Sequence, residues 1–167
     1  DYYNGAGVDI TYMGIGELGE DGSVNSTKMG VRCTGAGGFI DITQNAKKVV
    51  FLGTFTAGGA KYKFENRKLE ILQEGKIRKM VRQVAQLSFN GPMARKKGQE
   101  VMVVTERAVF QLVKDGVELI EIAPGIDLRT QILDKMDFKP IISKNLRVMD
   151  ERLFVQDGPF GLKLKEK

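Results

Sequence analysis

The sequence predicts an α/β protein, a mixed sheet with flanking helices that becomes strand-rich after residue 60. Three observations carry this expectation. Gly35-Ala36-Gly37-Gly38 leads into a helix-spaced segment and then into the continuous apolar run Val49-Val50-Phe51-Leu52, so a glycine loop, a helix and a strand buried on both faces follow one another. Val101-Met102-Val103-Val104-Thr105 is a second buried-strand run. Segments 108–113 and 117–122 flank Asp115-Gly116 and read as a hairpin with Asp-Gly as its turn.

The elements follow in order. Residues 8–13 alternate apolar and polar and predict a strand, followed by a glycine- and acid-rich loop over 14–22 and a short extended piece at Ser23-Val24-Asn25. An irregular stretch then reaches the Gly35 cluster. Phe39, Ile40, Ile42 and Ala46 predict a short helix over 39–48, whose closing Lys47 and Lys48 suit the helix dipole. Residues 61–65 and 68–72 around Asn66-Arg67 read as a hairpin, 77–81 as a strand, and 92–98 as a short helix with Pro92 near its start. Asp127 is placed to cap a helix over 128–136, Pro140 bars helix soon after, and 150–154 reads as one further turn.

Composition bounds what the chain can do. Its 167 residues suit one domain, able to bury roughly 70% of its unfolded surface without disulfides or metal. There is no His, which excludes Ser-His-Asp and Cys-His nucleophile pairs, His bases and His metal ligands within this chain. The single Cys33 forms no intrachain disulfide and no thiolate cluster, and it reads as a small buried side chain. Met13, Met80, Met102 and Met136 read as core filler. The first residue is Asp1, so the segment is expected to be processed or cut from a longer chain. No signal peptide or membrane-length apolar run is visible, and with one unpaired Cys this predicts a reducing cytoplasm.

A net charge of +5 is mild. The basic clusters Lys76-Ile77-Arg78-Lys79, Arg82, Arg95-Lys96-Lys97 and the tail over 163–167 read as solvated surface. No aromatic lies between Glu65 and Leu87, so the interleaved pattern of a nucleic-acid surface is missing. Neither nucleic acid nor membrane is expected as a partner.

Several glycine stretches invite a ligand reading. Gly14-Ile15-Gly16-Glu17-Leu18-Gly19 matches the dinucleotide spacing, yet it runs into Glu20-Asp21-Gly22 rather than a helix, and its carboxylates would repel phosphate. It reads as a structural loop. Asn4-Gly5-Ala6-Gly7 and Thr56-Ala57-Gly58-Gly59 are looser, and the second reads as a strand-to-hairpin turn. Gly35-Ala36-Gly37-Gly38-Phe39 is the stronger candidate, because glycines directly before a helix leave N–H groups open to a phosphate or a developing oxyanion. A tight turn packed on a neighbouring strand fits the same residues equally well. Glu106 beside Arg107 reads as a surface pair.

From Gly35-Ala36-Gly37-Gly38-Phe39-Ile40-Asp41 through Val49-Val50-Phe51-Leu52-Gly53-Thr54-Phe55-Thr56-Ala57-Gly58 the chain resembles the C-terminal half of the family I coenzyme A transferases, in their acetate/propionate branch. Gln73-Glu74-Gly75-Lys76, Val104-Thr105-Glu106-Arg107-Ala108-Val109-Phe110, Ile120-Glu121-Ile122-Ala123-Pro124-Gly125-Ile126-Asp127-Leu128, Ile132-Leu133-Asp134-Lys135-Met136-Asp137-Phe138 and Met149-Asp150-Glu151-Arg152-Leu153-Phe154 agree with it.

The resemblance implies two related α/β halves with the active site between them, and transfer of coenzyme A from an acyl-CoA to a short-chain carboxylate. A glutamate attacks the thioester to give an acyl-glutamyl anhydride, and the released CoA thiolate then forms a glutamyl-CoA thioester. The CoA thioester is substrate, and no permanently bound cofactor or metal is implied. By the family pattern the nucleophilic Glu lies upstream of Asp1, so residues 1–167 are expected to be the C-terminal portion of a catalytic domain and inactive alone. Its expected partners are the N-terminal half of the enzyme and further copies in a homo-oligomer. Gly37 and Gly38 match the glycine pair whose backbone N–H holds the thioester oxygen, which places the oxyanion and CoA loop at Gly35, Ala36, Gly37, Gly38 and Phe39. A non-catalytic CoA- or nucleotide-binding structural module is the alternative reading.

Overall fold

The computed structural model describes Tyr3, Gly5 and residues 7–155. Asn4 and Ala6 of the first glycine stretch and the basic tail over 163–167 lie outside the described residues.

Strand β1 covers Ile10–Gly14. The loop after it is not free of strand: β2 (Glu17–Gly19) pairs antiparallel with β3 (Val24–Asn25). The stretch that looked irregular folds into a small exposed hairpin, β4 (Lys28–Met29) with β5 (Arg32–Cys33). Helix α1 spans Phe39–Asn45, and β6 (Lys48–Leu52) follows. The helix ends before both lysines, because Ala46 turns extended at ψ 140°. Lys47 pairs instead with Asp9 and Lys48 with Glu100, so the dipole expectation fails at this terminus.

Residues 56–81 hold β7 (Thr56–Ala57), β8 (Lys61–Glu65), β9 (Lys68–Gln73), β10 (Ile77–Arg78) and β11 (Met80–Val81). Asn66 and Arg67 take φ of 51° and 58°, the left-handed pair that a two-residue hairpin turn requires. The strand expected over 77–81 is broken at buried Lys79: β10 pairs with β7, and β11 pairs with β2.

Helix α2 (Gly91–Lys97) begins where Asn90 Oδ1 accepts from Met93 N at 2.9 Å and ends at left-handed Gly98. Strand β12 (Glu100–Val104) follows, then β13 (Ala108–Val113) and β14 (Gly116–Ile122). Their hairpin turns on Lys114 and Asp115 rather than Asp115-Gly116, since Gly116 already pairs with Val113.

The Asp127 carboxylate accepts from Thr130 N at 2.7 Å, as its capping position predicted. Helix α3 is only Leu128–Gln131, however; the chain breaks at Ile132 and resumes as a 3-10 turn over Leu133–Lys135. Strand β15 (Ile141–Val148) was not foreseen, and a last 3-10 turn covers Glu151–Leu153.

The main sheet has six strands in the order β1-β6-β12-β13-β14-β15. The first three are parallel, β12 to β14 antiparallel, and β15 parallel to β14. In register, Met13, Phe51 and Val103 line one face, where Phe51 stacks on Phe39 at 5.9 Å and meets the edge of Phe89 at 5.2 Å. Burial of these aromatics holds α1 onto the sheet. Because β1 and β6 are parallel and α1 joins them, its N-terminus lies toward the carboxyl ends of the parallel strands, where open α/β sheets place ligands.

Candidate functional site

The glycine loop lies at the surface. Gly35, Gly37 and Gly38 are exposed, Ala36 is half-buried, and Phe39 is buried. Gly37 has φ of +51°, a left-handed conformation that side-chain-bearing residues resist, and a Cβ built there meets nothing within 4 Å. Gly38 is the N-cap of α1 with φ −84°, and no side chain caps the helix. The Ala36 carbonyl accepts from Phe39 N at 2.9 Å, so the Phe39 amide is occupied while its ring anchors the loop to Phe51. The Gly37 and Gly38 amides donate to no acceptor among the described residues.

The dinucleotide-like loop behaves as a structural turn. No helix opens after it, and a Cβ at Gly16 would stand 1.8 Å from the Met29 side chain and 2.8 Å from the Asn25 carbonyl. Thr56-Ala57-Gly58-Gly59 closes on its own neighbours, with Gln73 Nε2 donating to the Gly59 carbonyl at 2.6 Å.

The charged residues of the β12–β13 turn are not at the surface. Arg107 is fully buried. Its guanidinium forks onto Glu74, with Nη1 to Oε2 at 2.8 Å and Nη2 to Oε1 at 2.9 Å, while Nε donates to Glu106 Oε1 at 2.7 Å. Nη1 also donates to the Gln131 carbonyl at 3.1 Å, and the cation lies 4.9 Å from the Phe55 ring centroid. The other Glu106 oxygen accepts from Phe55 N at 2.8 Å.

The surface pair expected of Glu106 and Arg107 is thus a buried lock. It ties the loop after β6, the residue after β9 and the end of α3 to one turn. Burial opposes ionisation of Glu74, but bonds from Arg107 and Thr56 and the Arg107 charge outweigh it and hold its carboxyl below the ordinary value. Burial pushes the Tyr62 phenol up, with the Glu106 charge adding to the rise.

Two further expectations are corrected. Cys33 is exposed, because its strand belongs to the outlying β4–β5 hairpin rather than the core. Lys79, read as solvated, is 7% exposed, because the chain carries it inward between β10 and β11. Nothing in Lys-Ile-Arg-Lys distinguishes the last lysine from the others. Its burial follows only from the pairing of β11 with β2, where Leu18 N donates to the Lys79 carbonyl at 2.8 Å. Met80 and Met136 are buried, and Met13 and Met102 pack against the core, as expected. Among the described residues no group of His, Cys, Asp or Glu could hold a metal, and no helix is long and apolar enough to cross a membrane.

No protein-family model matches the chain. Among curated proteins it is 47% identical over 166 residues to the acetate CoA-transferase YdiF of Escherichia coli K12, covering 99% of this chain and 31% of that protein. It is 45% identical over 159 residues to the caffeate CoA-transferase of Acetobacterium woodii, covering 92% of this chain and 30% of that protein. Among solved structures, the acyl-CoA transferase YdiF of E. coli O157:H7, in a thioester complex with CoA, superposes with a TM-score of 0.93 at 46% identity over 99% of this chain and 32% of that one. The chain therefore spans about a third of the length of the relatives it matches.

Proposed function

We propose that this chain, which belongs by sequence and fold to the family I coenzyme A transferases, is the C-terminal portion of an acyl-CoA:carboxylate CoA-transferase and supplies its oxyanion and CoA loop. The observation that carries the reading is the pair of unengaged amides at Gly37 and Gly38, exposed at the carboxyl end of the parallel strands and free of side chains.

The chemistry asks for such a feature. When a carboxylate attacks a thioester, the carbonyl oxygen becomes an oxyanion in a tetrahedral intermediate. Backbone donors already in place stabilise that charge without reorganising. The C–S bond then breaks, CoA leaves as thiolate, and an acyl-glutamyl anhydride remains. Return of the thiolate forms the glutamyl-CoA thioester and releases the first carboxylate. An acceptor carboxylate takes the CoA by the reverse steps. The nucleophilic glutamate comes from the half of the enzyme that precedes this segment. The substrates are acyl-CoA and short-chain carboxylates, and the enzyme works in the cytoplasm as a homo-oligomer. An exposed free thiol at Cys33 suits a reducing compartment.

The test is Gly38→Val in an enzyme carrying both halves. A Cβ at Gly38 meets only the Ile42 side chain, at 3.4 Å, and φ there is ordinary, so the backbone accepts a side chain at this position. Valine keeps the backbone N–H but sets a branched side chain beside it, so the thioester oxygen is held off the donor and turnover falls, toward the ~10²–10³ that loss of one oxyanion donor costs. Hydroxylamine trapping of a glutamyl thioester locates the nucleophile. Normal turnover in folded Gly38→Val, or a trapped residue within this chain, overturns the reading.

A further inference from the structure

We propose that Lys79 is the receptor for the acceptor acid: its ammonium, set against Gly53 at the carboxyl end of the parallel strands, binds the carboxylate of a short-chain acid. This deepens the CoA-transferase reading and rests on it for the identity of the acid.

Lys79 is 93% withdrawn from solvent, at 7% exposure, yet its ammonium makes no hydrogen bond or ion pair among the described residues. Tyr62 Oη is the one fully buried side-chain polar atom without a partner there, so the Lys79 nitrogen keeps a contact with solvent. Glu106 is the charged group that acts on it, and both Glu106 oxygens are already engaged, one by Arg107 Nε and one by Phe55 N. Desolvation holds the Lys79 ammonium below its ordinary range, with Glu106 opposing.

The backbone beneath it is shaped for the cation. A Cβ at Gly53 would stand 3.0 Å from Lys79 Nζ and 2.7 Å from Ile15 Cγ2, so a side chain there would crowd the ammonium. Gly53 directly follows β6, and Ile15 directly follows β1. A buried cation with no counter-ion of its own is costly, and an arriving anion relieves that cost. A single ammonium suits a small monocarboxylate better than a phosphate. There is one compact cation with an isoleucine beside it, and the guanidinium of Arg107, which shares Glu106 with it, is consumed by Glu74 and Glu106.

The experiment uses the enzyme carrying both halves, labelled with 13C at lysine Cε and isoleucine methyls and titrated with sodium propionate at constant ionic strength. Saturable shifts at Lys79 and Ile15 are expected, with the Lys79 titration moving to higher pH when propionate is bound. Lys79→Met weakens the Ile15 response at least ~10-fold, as loss of a charge-assisted bond requires. Gly53→Ala, which keeps the charge and crowds it, also weakens binding.

No saturable shift in the native enzyme, equal binding by folded Lys79→Met, or binding of inorganic phosphate in preference to propionate overturns the proposal. Absent propionate binding with impaired Gly38→Val turnover sinks this inference alone. Propionate binding at Lys79 with normal Gly38→Val turnover supports the receptor and sinks the oxyanion reading.

Discussion

Replacing Arg107 with Met removes the cation from the buried lock while keeping a side chain of similar length. Two carboxylates then face each other across an apolar gap: Glu74, whose side chain is 26% exposed, and Glu106, 14% exposed. Breaking a buried pair by removing one partner costs ~3–5 kcal/mol, because the survivor is left uncompensated. For a chain of this size that corresponds to a fall in Tm of roughly 6–20 °C. Urea denaturation followed by circular dichroism at pH 7 measures it.

The sign of the pH dependence is a sharper check. In the native chain Glu74 is held below its ordinary value of 4.5, so its contribution is present above that pH and is lost as pH falls through the lower folded value. In Arg107→Met only the bonds from Thr56 and Gly75 still oppose burial, so the Glu74 value rises and acidification relieves the variant. The stability gap therefore narrows between pH 7 and about pH 4. A loss below ~1 kcal/mol, or a gap that stays constant with pH, refutes the account of Arg107 as the cation compensating buried carboxylates.

Two further outcomes follow from local geometry. Gly75→Ala places a Cβ 2.4 Å from the Ala57 carbonyl oxygen and 2.8 Å from Thr56 Oγ1. The backbone there cannot yield, so the variant loses ~1–3 kcal/mol in thermal denaturation, whereas Gly14→Ala, which meets nothing within 4 Å, leaves the midpoint in place. Asp150 is lowered to about 2, chiefly by the hydrogen bond from Arg152. Its contribution is present above about 3.8 and is lost as pH falls from there through about 2, and carboxyl NMR of Arg152→Ala shows its titration returning toward 3.8.

Much of the fold was legible because it is written in local backbone chemistry. Val49-Val50-Phe51 is buried as its unbroken apolar run requires, in a strand with parallel neighbours on both sides. Asn90 with Pro92 in the first turn and Gly98 after Lys97 bound α2, and Asn66-Arg67 makes the hairpin turn. The glycine loop ahead of α1 was readable for the same reason. Strand β15 was hidden because it is an edge strand, largely exposed on both faces, with no alternation to read.

Where the chain turns, where it caps and which short runs must be covered are set by local residues, since each depends on positions close together in the chain. The fate of the charges is settled by long-range packing. Arg107 and Glu74 are 33 residues apart, and Lys79 meets Gly53 across two separate strands, so no local pattern distinguishes these groups from solvated ones. Whether a charge is buried depends on what packs over it, and desolvation takes effect only when distant segments meet.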